Sequence, residues 1–183
     1  MRAEKQRLRR RMLEKRNALP ATEAARLGAL AQKHVVEIPE FESARTIGIY
    51  YPLGSEVRTD EIARAARAGG KKVSLPRTEG NMIRFYEYKE GDDLVEGRFG
   101  VMEPAPSHPA GPLDLVVIPG VVFDAQGCRI GYGKGFYDRF LAERLATFSV
   151  GLAYSFQVVE ALPRGRFDRK LGALATDEGI MYF

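Results

Sequence analysis

The sequence predicts an α/β fold, a three-layer α/β/α sandwich with a mostly parallel central sheet, on the strength of three features. Short apolar runs read as buried strands: TIGIYY at 46–51, LDLVVIPG at 113–120 and FSVGLAY at 148–154. Segments with helical spacing lie between such runs or ahead of them, the clearest carrying Leu27, Leu30, Ala31, Val35 and Ile38. Strands alternating with helices build a sheet covered on both faces. The 183 residues fit one domain, 1–183, long enough to bury a sizeable core. Ligands of such sheets bind beyond the carboxyl ends of the strands, which directs attention to 51–58, 119–138 and 154–157.

Taken in order, residues 2–18 read as a helix with a heavily basic surface, and Pro20 ends it or starts the next. The second helix covers 21–37. Strand 46–51 closes at Pro52 and Gly54, and Thr59 or Asp60 caps a short helix through Ala68, which Gly69-Gly70 stops. KVSLP (72–76) and MIRFYEY (82–88) are strands, the second alternating in polarity as a half-exposed strand does. Pro104, Pro106, Pro109 and Pro112 make 91–112 irregular. The halves on either side are small and incomplete, so this reads as a long surface loop rather than a domain linker. Strand 113–120 is the most hydrophobic and therefore central. A helix over 135–145, the strand 148–154, and two extended pieces in LGALAT and GIMYF complete the chain.

Composition bounds the function. Hydrophobic and charged fractions of 45% and 28% are those of an ordinary globule, and a formal charge of +4 favours anionic ligands without choosing among them. A single cysteine, Cys128, excludes an internal disulfide framework and a cysteine metal cluster. Two histidines, His34 and His108, argue against a histidine-rich metal site. No apolar run approaches the ~18 residues of a membrane span. The start MRAEKQRLRRRMLEK has a basic front with no apolar region behind it, unlike a secretory signal. A cytoplasmic protein with no membrane partner is the expectation.

The densest local signal is GCRIGYGKGFYDRFL, 127–141, with four glycines before an apolar helix. Glycine weakens any helix or strand it enters, so such a run needs a return. A mobile connector between strand and helix is one reading. The other is an anion nest: alternating Gly131, Gly133 and Gly135 let successive N–H groups face one concavity, the helix adds its positive end, and Lys134 adds a mobile charge. A P-loop is excluded, because five residues separate Gly127 from Gly133 and Gly135 follows Lys134 where Ser or Thr should stand. G-x-G-x-G also differs from the dinucleotide G-x-G-x-x-G. Asp138, in the first helical turn, either complements the helix dipole or sits beside phosphates through a cation such as Mg2+.

PGVVFDAQGCRIGYGKGFYDRFL, 119–141, resembles the signature of the 5-formyltetrahydrofolate cyclo-ligase family, also called 5,10-methenyltetrahydrofolate synthetases. KQRLRRRM near the start, YYPLGSEVRTDEI, LPR at 75–77 and the closing TDEG are similar to the family in the same order, so the likeness covers nearly the whole chain. The resemblance implies a three-layer α/β/α domain that cyclises 5-formyltetrahydrofolate to 5,10-methenyltetrahydrofolate, consuming ATP with Mg2+ present and releasing ADP and phosphate. ATP phosphorylates the formamide oxygen and N10 of the folate attacks. The substrate brings its own nucleophile, so the protein contributes positioning and charge stabilisation.

Carried over residue by residue, the resemblance implies an ATP contact at Lys5, Gln6, Arg7, Leu8 and Arg9. Lys5 and Arg9 stand four apart on one helical face; the competing reading is a solvated basic face. It implies a second ATP segment in Arg129, Ile130, Gly131, Tyr132, Gly133, Lys134, Gly135, Phe136 and Tyr137. Its Tyr132–Phe136 part also borders the folate. Lys134 and Arg9 are the residues expected to stabilise the transferring phosphate. Asp138 and Asp177 are the implied Mg2+ ligands, and Tyr51 and Glu56 the implied folate contacts; Asp177 alone would read as a turn residue and Glu56 as a loop acid. Phe136 departs from the tyrosine usual in the family and lacks its hydroxyl.

The expected partners are therefore ATP and 5-formyltetrahydrofolate, with no nucleic acid, acting on a monomer. Two alternatives stay open. A nucleic-acid module could be built on the basic first helix, although residues 1–18 hold no aromatic to stack on bases. An ATP-dependent ligase of the same fold could act on another amide-like substrate, with Tyr51 and Glu56 as the discriminating positions.

Overall fold

A computed structural model describes residues 1–144 and 147–183; the helix expected over 135–145 ends at Glu143, with Arg144 as its C-cap, and position 145 lies outside the described residues. In chain order the elements are α1 (Arg2–Asn17), α2 (Ala21–Val36), α3 (Pro39–Ser43), β1 (Thr46–Gly48), α4 (Asp60–Ala68), β2 (Lys72–Glu79), β3 (Met82–Glu87), β4 (Leu94–Glu96), β5 (Met102–Pro104) and β6 (Leu115–Ile118). They continue with β7 (Val122–Asp124), β8 (Arg129–Ile130), α5 (Phe136–Glu143), β9 (Phe148–Leu152), β10 (Val158–Val159), β11 (Ala173–Thr176) and β12 (Gly179–Tyr182). Prolines open two of the helices, Pro20 at the N-cap of α2 and Pro39 in the first turn of α3, where a missing N–H costs nothing.

Seven strands form the main sheet in the order β12-β11-β9-β6-β1-β2-β3. The five inner strands are parallel, and the edges β12 and β3 are antiparallel. β6 is the middle strand, as its hydrophobicity demands. Its side chains alternate between two cores: Leu115 and Val117 join Ala31 and Val35 of α2 and Ile62 and Ala66 of α4. Val116 and Ile118 join Phe140 and Leu141 of α5. All four β6 residues are fully buried, and truncating any one to alanine removes roughly 1–4 kcal/mol of packing. Gly151 on β9 keeps the second core closed, since a Cβ there would lie 2.7 Å from Leu171 and 2.9 Å from Leu174.

Several features depart from the sequence expectation. The segment 91–112 carries a small hairpin, β4 with β5, rather than being wholly irregular. A second sheet, β10-β7-β8, stands beside the main one. α1 docks on it: Leu8, Met12 and Leu13 pack against Val121, Val122 and Ile130. Thr59 occupies the N-cap position of α4 but does not cap it, because its hydroxyl donates to the Tyr50 carbonyl at 2.9 Å. Gln32 of α2 takes over, its Oε1 accepting the Glu61 and Ile62 N–H groups at 2.9 and 3.4 Å.

Candidate active site

The chain after β1 bends over the carboxyl end of the sheet. Buried Tyr50 pins this bend, donating from its hydroxyl to the Val57 carbonyl at 2.6 Å. Inside the bend Glu56 is 7% exposed and accepts the Leu53 N–H at 2.9 Å, while its own N–H returns to the Leu53 carbonyl. Burial pushes the Glu56 carboxyl above its ordinary range; the Leu53 N–H, the Arg16 charge and the Tyr132 hydroxyl act against burial without overcoming it. Tyr51 sits at the rim, 38% exposed.

Opposite this bend β8 delivers the chain into the glycine loop. Gly133 and Gly135 take left-handed φ values of 94° and 68°, and Gly135 is the N-cap of α5. At Gly133 the space is also limited, since a Cβ would meet the Arg9 guanidinium at 3.4 Å. Arg9 Nε donates to the Gly131 carbonyl at 2.7 Å, so α1 closes directly on the loop. Lys5, one turn earlier, pairs with Asp168. Burial opposes ionisation of Asp168, but the Lys5 ammonium and the Gly165 N–H outweigh it and hold the carboxyl below its usual range.

Arg129 enters the site buried, 7% exposed, with Nη2 donating to Asp138 Oδ1 at 3.2 Å and the guanidinium 5.8 Å from the Tyr137 ring centre. Its buried Nε has no hydrogen-bond partner among the described residues, an orphaned cationic donor beside the loop. Tyr137 is held neutral, its pKa driven far up by burial and then by the Glu56 charge. Lys134 extends into solvent with Nζ 4.9 Å above the Phe99 ring. Phe99, at φ 65°, tops the β4–β5 hairpin and tilts against Phe136 at 6.3 Å. Arg77, within the LPR stretch, ties that hairpin to β2 by donating to the Pro104 carbonyl at 2.9 Å.

The structure thus gathers Lys5, Arg9, the glycine loop, Arg129, Asp138, Glu56 and Tyr132 at one end of the sheet. Other expected residues fall differently. Gln6 and Arg7 are exposed on α1. Leu8 packs into the small-sheet core and serves docking of the helix. Ile130 does the same from β8. Asp138 Oδ1 also accepts the Arg169 N–H at 3.2 Å. Asp177 spends both oxygens on Ser155, accepting its N–H at 2.6 Å and its hydroxyl at 2.9 Å, which is the turn-residue role its sequence position also allowed. Among the described residues no three His, Cys, Asp or Glu side chains cluster as a metal site.

Sequence reasoning missed Arg16. Its guanidinium is 2% exposed and donates to Ser55 Oγ at 3.0 Å, the Gly120 carbonyl at 3.2 Å and the Tyr132 hydroxyl at 2.7 Å. One signal was available: Arg16 stands seven residues, almost two turns, beyond Arg9 and so shares its stripe. Tyr154, stacked on Phe156 at 5.4 Å, and Lys15 above Phe156 at 4.8 Å line the same end.

Comparison with known proteins settles the family of this chain. A sequence model described as the 5-formyltetrahydrofolate cyclo-ligase family matches residues 1–177. The chain belongs to that family. A 5-formyltetrahydrofolate cyclo-ligase of Escherichia coli strain K12 is 31% identical over 177 residues, covering 91% of this chain and 97% of the relative. A probable 5-formyltetrahydrofolate cyclo-ligase of Caenorhabditis elegans is 32% identical over 154 residues, 75% of each chain. An NMR structure of Aquifex aeolicus 5,10-methenyltetrahydrofolate synthetase superposes with a TM-score of 0.86 at 36% identity, covering 97% of this chain and 92% of that one. The cyclo-ligase family is a family of ligases, and this chain is an enzyme of that class with its α/β fold. No described helix is long and apolar enough to cross a membrane.

Proposed function

We propose that the protein catalyses the ATP- and Mg2+-dependent cyclisation of 5-formyltetrahydrofolate to 5,10-methenyltetrahydrofolate, releasing ADP and phosphate. The observation that carries this reading is the meeting of two unlike half-sites at one end of the sheet, joined through Arg16. One is the glycine loop flanked by Arg9, Arg129 and Lys134; the other is the buried Glu56 with Tyr132 and Tyr51. The first suits a polyphosphate and the second a ring carrying N–H donors.

In the reaction the γ-phosphoryl group moves to the formyl oxygen and ADP leaves. N10 then attacks the formyl carbon and loses its proton, and the C–O bond breaks with release of phosphate. Arg9, Arg129 and Lys134 hold phosphate oxygens in place, and the unpaired Nε of Arg129 has a donor free for one of them. Glu56, as a carboxylate, accepts the pterin donors and fixes the formyl group against the phosphate. Tyr132, Gly133, Gly135 and Phe136 shape the wall between the two substrates.

When bound, Mg2+ would neutralise phosphate charge, with Asp138 and Asp177 as the residues that would hold it. The residues fit it unequally. Asp138 lies at the mouth of the loop and has hydrogen bonds at Oδ1, so Oδ2 remains for a cation. Asp177 would coordinate with a lone pair beyond those used by Ser155. On this reading the chain acts as one domain, a monomer in the cytoplasm, with small molecules as its partners.

The test is spectrophotometric: purified protein, 5-formyltetrahydrofolate and MgATP, with absorbance of the methenyl product followed in time. ATP-dependent growth of that absorbance is expected. Its absence would remove the folate reading and leave a ligase acting on another amide-like substrate.

A further inference from the structure

Arg16 makes an unusual set of contacts for a helix-terminal arginine. It lies in the last turn of α1, buried, with three nitrogens donating to three separate segments. Ser55 belongs to the bend after β1, Gly120 to the exit of β6, and Tyr132 to the glycine loop. Ser55 passes the contact on by donating to Asn17 Oδ1 at 2.5 Å, which secures the bend to the end of the same helix. No carboxylate lies within ion-pair distance of Arg16 among the described residues; neutral oxygens satisfy it. A buried guanidinium held this way fixes geometry, because its planar fork demands all three acceptors at once.

We propose that Arg16 is a positioning residue for the reaction, locking the bend that carries Glu56 to the glycine loop through Tyr132. The inference rests on the cyclo-ligase reading above, since it is that reading which puts folate on one side of the lock and ATP on the other. Tyr132 is the joint: its hydroxyl accepts from Arg16 at 2.7 Å beside the buried Glu56. The charged and titratable groups facing Glu56 are Arg16 from α1, Tyr132 and Tyr137 from the glycine loop and the start of α5, and Tyr50 from the bend itself. Arg16 is the cation among them that favours the Glu56 carboxylate directly, against burial.

The experiment combines kinetics with a measurement that needs no turnover. Arg16→Lys, Arg16→Met, Tyr132→Phe and the double variant R16K/Y132F are compared with wild type, with active enzyme counted by folate binding. Arg16→Lys and Tyr132→Phe should each lower kcat about tenfold, and the double variant should be no worse than the weaker single one, because both break the same link. Carboxyl carbon NMR of Glu56 in the unliganded protein should show the acid titrating at higher pH in Arg16→Met, with the acid limb of kcat/KM for 5-formyltetrahydrofolate moving the same way. Independent, multiplying losses in the double variant would overturn the proposal, and so would an unmoved Glu56 titration in a folded Arg16→Met. Should Arg16→Met not fold, the Arg16→Lys and Tyr132→Phe cycle decides alone. If wild type forms no methenyl product, the function reading fails, while the Glu56 titration still reports whether Arg16 governs it.

Discussion

Replacing Arg9 with alanine separates a phosphate-site helix from a solvated basic one. Arg9 Nε donates to the Gly131 carbonyl at 2.7 Å, and its guanidinium fills the space at Gly133. A hydrogen bond from a charged group contributes about 1.5–3 kcal/mol. At 1.36 kcal/mol per decade, full expression in the ATP step gives roughly a 10- to 150-fold loss of kcat/KM for ATP. If the same energy fell on folding instead, Tm would drop by roughly 3–12 °C, at about 2–4 °C per kcal/mol for a chain of this size. The assay is therefore ATP-varied kinetics at saturating 5-formyltetrahydrofolate, with a melting curve for each variant. Arg7→Ala is the control, since Arg7 is exposed and lies roughly 200° around α1 from Arg9. Arg9→Lys should also be impaired, because an ammonium cannot copy paired guanidinium bonds. A nucleic-acid-binding helix would behave otherwise, each charge contributing about equally to a salt-dependent affinity for an oligonucleotide. Equal, small losses of ATP use at positions 7 and 9 would refute the phosphate-site reasoning.

Lys134→Ala should cost about 10- to 100-fold in ATP use, as a charge-assisted phosphate contact does; near-normal turnover at limiting ATP would show that Lys134 merely covers Phe99. Asp138→Asn and Asp177→Asn should each raise the Mg2+ requirement, read from a magnesium titration of the rate, and a wild-type curve for Asp177→Asn would restrict its carboxylate to the Ser155 turn. Asp138→Ala should also lower stability by about 3 kcal/mol, because it strands the Arg129 charge in a buried position; denaturant unfolding measures it. Glu56→Gln carries a pH signature. Burial raises the folded-state pKa of Glu56, so its contribution to stability is complete below the unfolded value of about 4.3 and is lost as pH rises through the folded one. The Gln variant should thus gain stability relative to wild type as pH rises from 4 to 8 while losing folate affinity, and a pH-independent difference in unfolding free energy would contradict that.

The main sheet was legible because its strands are largely apolar runs with helical segments between them, and burial of all four residues from Leu115 to Ile118 follows from that pattern. The small sheet was not, since two- and three-residue strands such as Arg129–Ile130 leave no period to detect and are made by pairing across the fold. Thr59 shows the same limit: local propensity named a cap, but a tertiary acceptor at Tyr50 claimed its hydroxyl. In the site, the glycine loop was readable from spacing, whereas Arg9 was singled out by the family resemblance, its spacing alone also fitting a solvated basic face. Arg16 was hidden within a run of charges, where burial depends on what lies 39, 104 and 116 positions away. Phe99 was hidden too, in a proline-rich segment with no periodicity.

The seat of α1 also sets a timetable. Arg9 and its Gly131 acceptor are separated by 122 positions, so a ribosome adding about 5–20 residues per second leaves α1 without its platform for roughly 6–24 s. During that interval the helix has no small sheet to cover its Leu8, Met12 and Leu13, and the glycine loop it closes on is not yet made. Limited proteolysis of ribosome-stalled chains should therefore cut within residues 2–17 until the chain from Val121 through the glycine loop and α5 has emerged, and protection there should not precede the emergence of Gly131. Seating of the earliest helix thus waits on the segment that also carries the glycine loop.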